Sequence, residues 1–355
     1  MKMKFKQLVA AGLFCIAGVA CAALPGFTTM YVFGDSLSDA GNFTNGGYPT
    51  VNNAPITNSV AQGGTNAGKL WDMSGAVGIF NVTPSNQGGT DYAWAYAQTG
   101  SQTVTAPIPI PNPSNPSKPN YITLPTLGLQ NQVGQYLARN GRANPAALYV
   151  IWAGSNDILD LIFNPANPQN PAQVINNGMI NIIAAVSNLY QAGARNFLVI
   201  GVPNIALTPI SAPNASATEQ ATGIGVLYGP NGSLATALSN ACNSWDAILF
   251  ANGTTPATGP LHYLKRVLPG INLYAWNPAT LSSVLLNPTS AGFPATTYNR
   301  NGSPGPNNQT TLVYGTLTGQ DSNADDFLFY NFIHPTGKAH LVIAQAIASN
   351  AISIQ

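Results

Sequence analysis

Two hydrophobic rhythms alternate along the chain. Thr28 to Phe33, Ala147 to Ala153, Asn196 to Val202 and Ile271 to Trp276 are short apolar runs rich in β-branched and aromatic residues, and they predict strands. Asp326 to Tyr330 predicts a further short strand. Leu127 to Leu137, Val174 to Tyr190 and Leu234 to Phe250 carry apolar residues at helical spacing, and Lys338 to Ile352 predicts a closing helix. A strand that reads as an unbroken apolar run is buried on both faces. Strands alternating with helices need crossover connections. The pattern therefore predicts an α/β fold with a mostly parallel central sheet, and a site beyond the carboxyl ends of its strands.

The polar interruptions are as informative. Val51 to Gly64 and Asn287 to Gln309 are rich in Asn, Gly and small residues and read as loops. Val104 to Pro125 carries Pro107, Pro109, Pro111, Pro113, Pro116 and Pro119. Proline gives no N–H to a helix or a sheet ladder, so this stretch is neither helix nor central strand. It reads as a surface excursion within one domain, because neither half of the chain alone carries a full set of candidate catalytic groups. The expected organisation is a targeting segment over residues 1–22 and a single domain over residues 23–355.

Composition narrows the function classes. Of 355 residues 45% are hydrophobic, enough for a large core, and only 6% are charged, so uncharged polar residues must cover much of the surface. The formal charge of +1 excludes an electrostatic nucleic-acid binder, and high hydrophobicity excludes a disordered chain. Lys2, Lys4 and Lys6 precede an apolar run from Leu8 to Val19, and Ala20-Cys21-Ala22 fits a small-x-small cleavage site, so an export signal is expected. The rival reading, acylation of Cys21, has Gly18 where a lipobox usually has Leu. Cys15 and Cys21 leave with the signal. Cys242 then has no disulfide partner and is expected to be a buried small apolar residue. No other run approaches the length of a membrane span.

Three blocks carry candidate chemistry. Phe33-Gly34-Asp35-Ser36-Leu37-Ser38-Asp39 puts a serine just after a predicted strand, where a turn can expose its hydroxyl and aim amide N–H groups inward. Such a serine also serves as a helix N-cap or turn hydroxyl. Gly154-Ser155-Asn156-Asp157 follows the buried strand Ala147 to Ala153. Asn156 suits either an oxyanion donor or an Asx-turn. Of the three histidines, His334 lies between the last predicted strand and the closing helix, with Pro335 suited to the helix's first turn. His262 and His340 fall in helical segments and read as structural. No histidine or cysteine cluster has metal-ligand spacing and no phosphate-cradling glycine loop is present, so no metal or cofactor is expected.

The three blocks, in this order and across the whole mature chain, resemble the SGNH/GDSL family of esterases and lipases. The longer form Phe33 to Asp39 looks like the bacterial secreted lipolytic subgroup, which includes lysophospholipases and lipid acyltransferases. Lys69-Leu70-Trp71 also resembles a stretch found there. The resemblance implies a three-layer fold, its parallel sheet flanked by helices. It implies Ser36 as nucleophile and His334 as general base, with Asn331 ahead of His334 in the place of the triad acid. The oxyanion donors would be the Ser36 N–H, the Asn156 side chain and the Ala95 N–H, with Gly154 and Asp157 in support.

Two positions depart from the family pattern. Asp91-Tyr92-Ala93-Trp94-Ala95 stands where the family has Asn-aromatic-Ala-x-Gly, so Ala95 replaces the donor glycine. Asn331-Phe332-Ile333-His334 stands where the family has Asp-x-x-His. An Asn can orient the imidazole but brings no charge to the imidazolium. In serine proteases the corresponding loss is about 10⁴ in kcat, or about 5 kcal/mol. Asp325 and Asp326 are carboxylates close in sequence that can substitute.

The expectation is an exported serine ester hydrolase of lipid acyl esters. Its substrate is a small-molecule or lipid ester, with transient membrane-surface contact and neither nucleic acid nor an obligate protein partner. The alternatives are a carbohydrate acetylesterase on the same scaffold and, because of Asn331, a catalytically impaired lipid- or glycan-binding protein.

Overall fold

A computed structural model describes residues 27–42, 50–51, 54–55, 82–101, 103–110, 120–163, 170–208, 233–251, 259–281, 288–293, 334–335 and 337–355. In chain order the elements begin with β1 (Met30–Gly34), β2 (Thr50–Val51), β3 (Ala54–Pro55), β4 (Thr103–Ile110) and β5 (Asn120–Leu127). Then come α1 (Leu129–Asn140), β6 (Leu148–Trp152), α2 (Ser155–Phe163), α3 (Pro171–Gln191) and β7 (Asn196–Ile200). The last are α4 (Ser233–Leu249), α5 (Pro260–Val267), β8 (Asn272–Trp276), α6 (Gly337–Asn350) and β9 (Ile352–Ser353). The expected targeting segment over residues 1–22, the stretch Asp326 to Tyr330, Lys69-Leu70-Trp71 and most of the two polar loops lie outside the described residues.

The sheet has the order β1-β6-β7-β8-β9, parallel except for the antiparallel β9. The order advances in one direction from β1 to β8. Crossovers of one hand that advance in one direction put all their helices on one face. Packing follows this rule. Odd-numbered sheet residues such as Phe33, Tyr149, Ile151, Phe197 and Val199 meet α1, α2, α3, α4 and α5. Val32, Val150, Trp152, Leu198 and Ile200 point the other way, onto Ile343, Ile347 and Ala351 at the α6 end of the chain. Because both faces are covered, β6 and β7 are buried at every residue, as their unbroken apolar runs predict.

The proline-rich stretch contains more structure than an excursion without ladder bonds. β4 and β5 form an antiparallel ribbon in which Thr105 faces Pro125, Pro107 faces Thr123 and Pro109 faces Tyr121. These pairs alternate with the others along the ribbon, so all three prolines fall on one class of pair. A ribbon uses the N–H groups of every second pair only, and proline is tolerated in the class that gives none. Val51 likewise belongs to β2, which pairs with β3, where the sequence reads as loop.

Helix ends follow local chemistry. Asn170 caps α3, its side chain accepting the Ala172 N–H, with Pro171 in the first turn. In the middle of α3, Gly178 makes room for a neighbour. A Cβ there would lie 2.1 Å from Cη2 of Trp245, which α4 buries completely. Alanine usually stabilises a helix interior over glycine by up to about 1 kcal/mol. Gly178→Ala is expected to do the reverse, lowering stability by about 1–3 kcal/mol through overpacking, measured by urea unfolding.

Candidate active site

The turn after β1 is fixed before any functional group is considered. Gly34, paired with Trp152 of β6, donates its N–H to Oε1 of the buried Gln132 at 2.9 Å. The Gly34 carbonyl accepts from Gln132 Nε2 at 2.8 Å and from the Trp94 N–H at 3.1 Å. A Cβ on Gly34 would sit 2.1 Å from the Trp152 carbonyl oxygen, so only glycine fits. The next residue, Asp35, is buried and organises the turn. Its Oδ1 accepts the Leu37 N–H at 2.9 Å, and its carbonyl accepts the N–H groups of Ser38 and Asp39. Burial raises the Asp35 carboxyl to about 7 against the Leu37 bond, with Asp157 adding to the rise. Ser36 is left half-buried at the head of the turn, and among the described residues none accepts its N–H.

Residues 90–94 run beside the open edge of β1. Val32 donates to the Thr90 carbonyl at 3.1 Å, and Tyr92 donates to the Val32 carbonyl at 2.8 Å. Tyr92 stacks on Phe33 with ring centroids 5.5 Å apart. Two buried carboxylates tie this segment to the serine turn. Asp39 accepts from Gly41 and Asn42 through Oδ1 and from Ala95 through Oδ2, at 2.8, 2.7 and 2.8 Å. Asp91 accepts from Ala40 and from Ala93. Burial, and then the Asp39 charge, hold the Asp91 carboxyl well above the usual range.

This corrects the role expected for Ala95. Its N–H is directed to Asp39, not into the site, and the residue is fully buried. The glycine-like conformation falls one residue later. The Ala97 N–H donates to the Trp94 carbonyl at 3.1 Å, and Tyr96 has φ +64°, the only left-handed non-glycine among the described residues. This matches a type II turn, whose third position favours glycine. A tyrosine there costs about 1–2 kcal/mol.

Neighbouring β6 supplies the second block. Gly154 has φ +127°, and a Cβ on it would lie 2.3 Å from Cζ2 of Trp245. Asn156, in the first turn of α2, donates Nδ2 to the Ala97 carbonyl at 3.0 Å. An amide nitrogen has two hydrogens, so one remains for a ligand oxygen. Asp157 accepts from the Thr99 N–H at 3.0 Å and the Thr99 hydroxyl at 2.6 Å, which fastens the 94–99 segment to α2. Burial raises Asp157 to about 6 against those bonds.

His334 arrives from the other face of the sheet, just ahead of α6. Its Nε2 lies 2.8 Å from Ser36 Oγ. Burial pushes the imidazole down to about 3, and His340, buried on α6, adds to the shift. His262 sits on α5 in the other helical layer, and Cys242 is buried on α4. Asn331, Asp325 and Asp326 lie outside the described residues. Among the described residues no three His, Cys, Asp or Glu side chains gather as metal ligands would.

Ser36, His334, Asn156 and Asp157 thus converge on the carboxyl ends of β1 and β6. Sequence reading missed Gln132, whose helical position gives no hint of its two bonds to Gly34, and it missed Asn42. Asn42 Nδ2 donates to the carbonyls of Asp91 and Ala93 at 2.7 and 2.9 Å. Asp39 lay inside the quoted block without a role. Asp39→Ala is expected to lower stability by about 3 kcal/mol and to speed amide exchange at Gly41, Asn42 and Ala95, read by hydrogen-exchange mass spectrometry.

Comparison with known proteins agrees with this geometry. The model of the GDSL-like lipase/acylhydrolase family matches residues 30–347. Lipase 1 of Photorhabdus luminescens is 32% identical over 210 residues, covering 58% of this chain and 27% of that protein. Acetylesterase of Thermothelomyces thermophilus is 27% identical over 90% of this chain and 86% of its own. Esterase EstA of Pseudomonas aeruginosa is 28% identical over 97% of this chain and 50% of its own. The chain thus spans half or less of the two bacterial relatives. With a serine held against a histidine at the end of β1 and the family's model matched from β1 into α6, the chain belongs to the GDSL-like lipase/acylhydrolase family.

Proposed function

We propose that the chain is an exported serine ester hydrolase that cleaves lipid acyl esters through an acyl-enzyme on Ser36. The observation that carries the reading is the 2.8 Å contact between His334 Nε2 and Ser36 Oγ, at the head of the turn after β1. In the cycle, Ser36 Oγ attacks the ester carbonyl carbon while His334 takes the hydroxyl proton. The tetrahedral oxyanion is met by the Ser36 N–H and by the remaining Asn156 Nδ2 hydrogen. The third donor passes from Ala95 to the Tyr96 amide. The Ala95 carbonyl accepts the Thr126 hydroxyl at 2.6 Å, and across a trans peptide the Tyr96 N–H points the opposite way. Collapse expels the alcohol, which takes its proton from His334. Water, activated by the same imidazole, then releases the acid.

The lysine-led apolar N-terminus supports export, and the relative named a lipase supports acyl esters of lipids, with transient contact at a membrane surface. A second reading, a short-chain acetylesterase, is supported by the relative of that name, which covers most of both chains. Transfer of the acyl group to another alcohol uses the same intermediate. Hydrolysis of p-nitrophenyl esters from acetyl to long acyl separates the readings, since activity confined to acetyl excludes the lipid esterase.

Ser36→Ala is expected to abolish turnover and fluorophosphonate labelling together, and Asn156→Ala to lower kcat by about 10²–10³. An unlabelled Ser36 in a folded, inactive parent protein overturns the reading. The acid limb is a sharper test. Only neutral His334 acts as base, and its folded pKa of about 3 lies below the ordinary 6.5. The base stays available as pH falls through 6.5, so kcat/KM is expected to hold down to about pH 5. An inflection near 6.5 in the kcat/KM profile would instead show that the imidazole keeps its ordinary value.

A further inference from the structure

We infer that the Tyr96 side chain is a specificity-determining wall for the acyl chain, touching its first carbons beside the scissile carbonyl. The inference rests on the acyl-enzyme reading of Ser36.

The turn Trp94–Ala97 asks for glycine at its third position, yet the chain has tyrosine there at φ +64°. Strained residues of this kind cluster at ligand contacts, where the surrounding structure holds them in place. The surroundings here are rigid. Trp94 is bonded to Gly34, Ala95 to Asp39 and Thr126, and Ala97 to Asn156. Within this frame Tyr96 keeps 38% of its surface exposed.

The layer order decides which part of a substrate it meets. His334 enters beside α6, which packs under Val32, Val150 and Leu198. The 94–99 turn is fastened to Asn156 and Asp157 of α2, whose Ile158 packs on the opposite face with Phe33 and Ile151. Tyr96 and His334 therefore flank Ser36 from opposite sides of the sheet. The leaving alcohol must lie within reach of His334, which returns its proton. The acyl group then departs on the far side, along Tyr96. A phenol ring with an exposed face suits methylene groups there.

The test uses the full mature chain, Tyr96→Gly and Tyr96→Ala. Glycine relieves the turn and alanine keeps it, so a change common to both belongs to the ring. Tm and fluorophosphonate labelling report that each variant retains its fold and its serine. One series varies the acyl group on a p-nitrophenyl leaving group from acetyl to decanoyl. The other varies the alcohol on acetate. In both variants the octanoyl-to-acetyl ratio of kcat/KM is expected to fall about tenfold, as loss of contact with two methylenes implies, while ratios in the alcohol series hold. An unchanged acyl profile, a change in the glycine variant alone, or a shift in the alcohol series overturns the inference. A parent confined to acetyl esters overturns the lipid reading by itself and this inference with it, before any variant is compared.

Discussion

The site depends on the immobility of Gly34. Its N–H and carbonyl are both taken by one buried glutamine side chain, its carbonyl also accepts from Trp94, and its Cα presses on the Trp152 carbonyl. A strand end held on all these sides cannot drift, and small displacements of a reacting group are costly in rate. Ser36 inherits that position two residues on. Because β1 and β6 are parallel and in register at Gly34 and Trp152, the loop bearing Asn156 leaves from the adjacent strand at the same height. The 94–97 turn hangs on both, through Gly34 and Asn156.

Charge is scarce in this chain, with 11 acidic residues in 355, yet Asp35, Asp39, Asp91 and Asp157 all surround the serine turn. They act as acceptors for backbone N–H groups that an irregular segment cannot give to a ladder. Four anions in such a place would oppose the negative charge that develops on an ester oxygen. Burial counters part of this by raising three of them, Asp35 to about 7, Asp157 to about 6 and Asp91 well above the usual range. To that extent these three groups hold the loops with a smaller repulsive field on the oxyanion.

The sheet was legible because its strands are buried on both faces, which leaves an unbroken apolar run in β6 and β7 and needs no alternation to be read. The ribbon was not. Proline counts against a strand only where its N–H is needed, and the parity of Pro107, Pro109 and Pro125 becomes meaningful only once partners are known. At the site, Ser36, Asn156 and His334 announce themselves by chemistry that few other positions offer. The misassignment of Ala95 has a different origin. The Ala95 N–H goes to Asp39 and its carbonyl takes the Thr126 hydroxyl, one partner far before and one far after in sequence. Gln132 reads as an ordinary helix residue until β1 is placed against it.

The weak point of a serine with a neutral histidine is the imidazolium that must form. A carboxylate behind it is worth about 5 kcal/mol by the serine-protease comparison, and residue 331 is asparagine. A depressed imidazole accepts the serine proton less readily. The cost is also reduced by groups that act on the opposite charge of the same transition state. Each well-aimed oxyanion donor is worth about 3–4 kcal/mol, and the negative oxygen itself attracts the imidazolium. Under the proposed cycle that opposite charge is met by the Ser36 amide, the Asn156 side chain and the turn at Tyr96. The strain in that turn, about 1–2 kcal/mol, is smaller than the stabilisation of a single donor held in the correct direction. The cost of a left-handed tyrosine is thus small against what one correctly aimed donor in the same turn supplies under the proposed cycle.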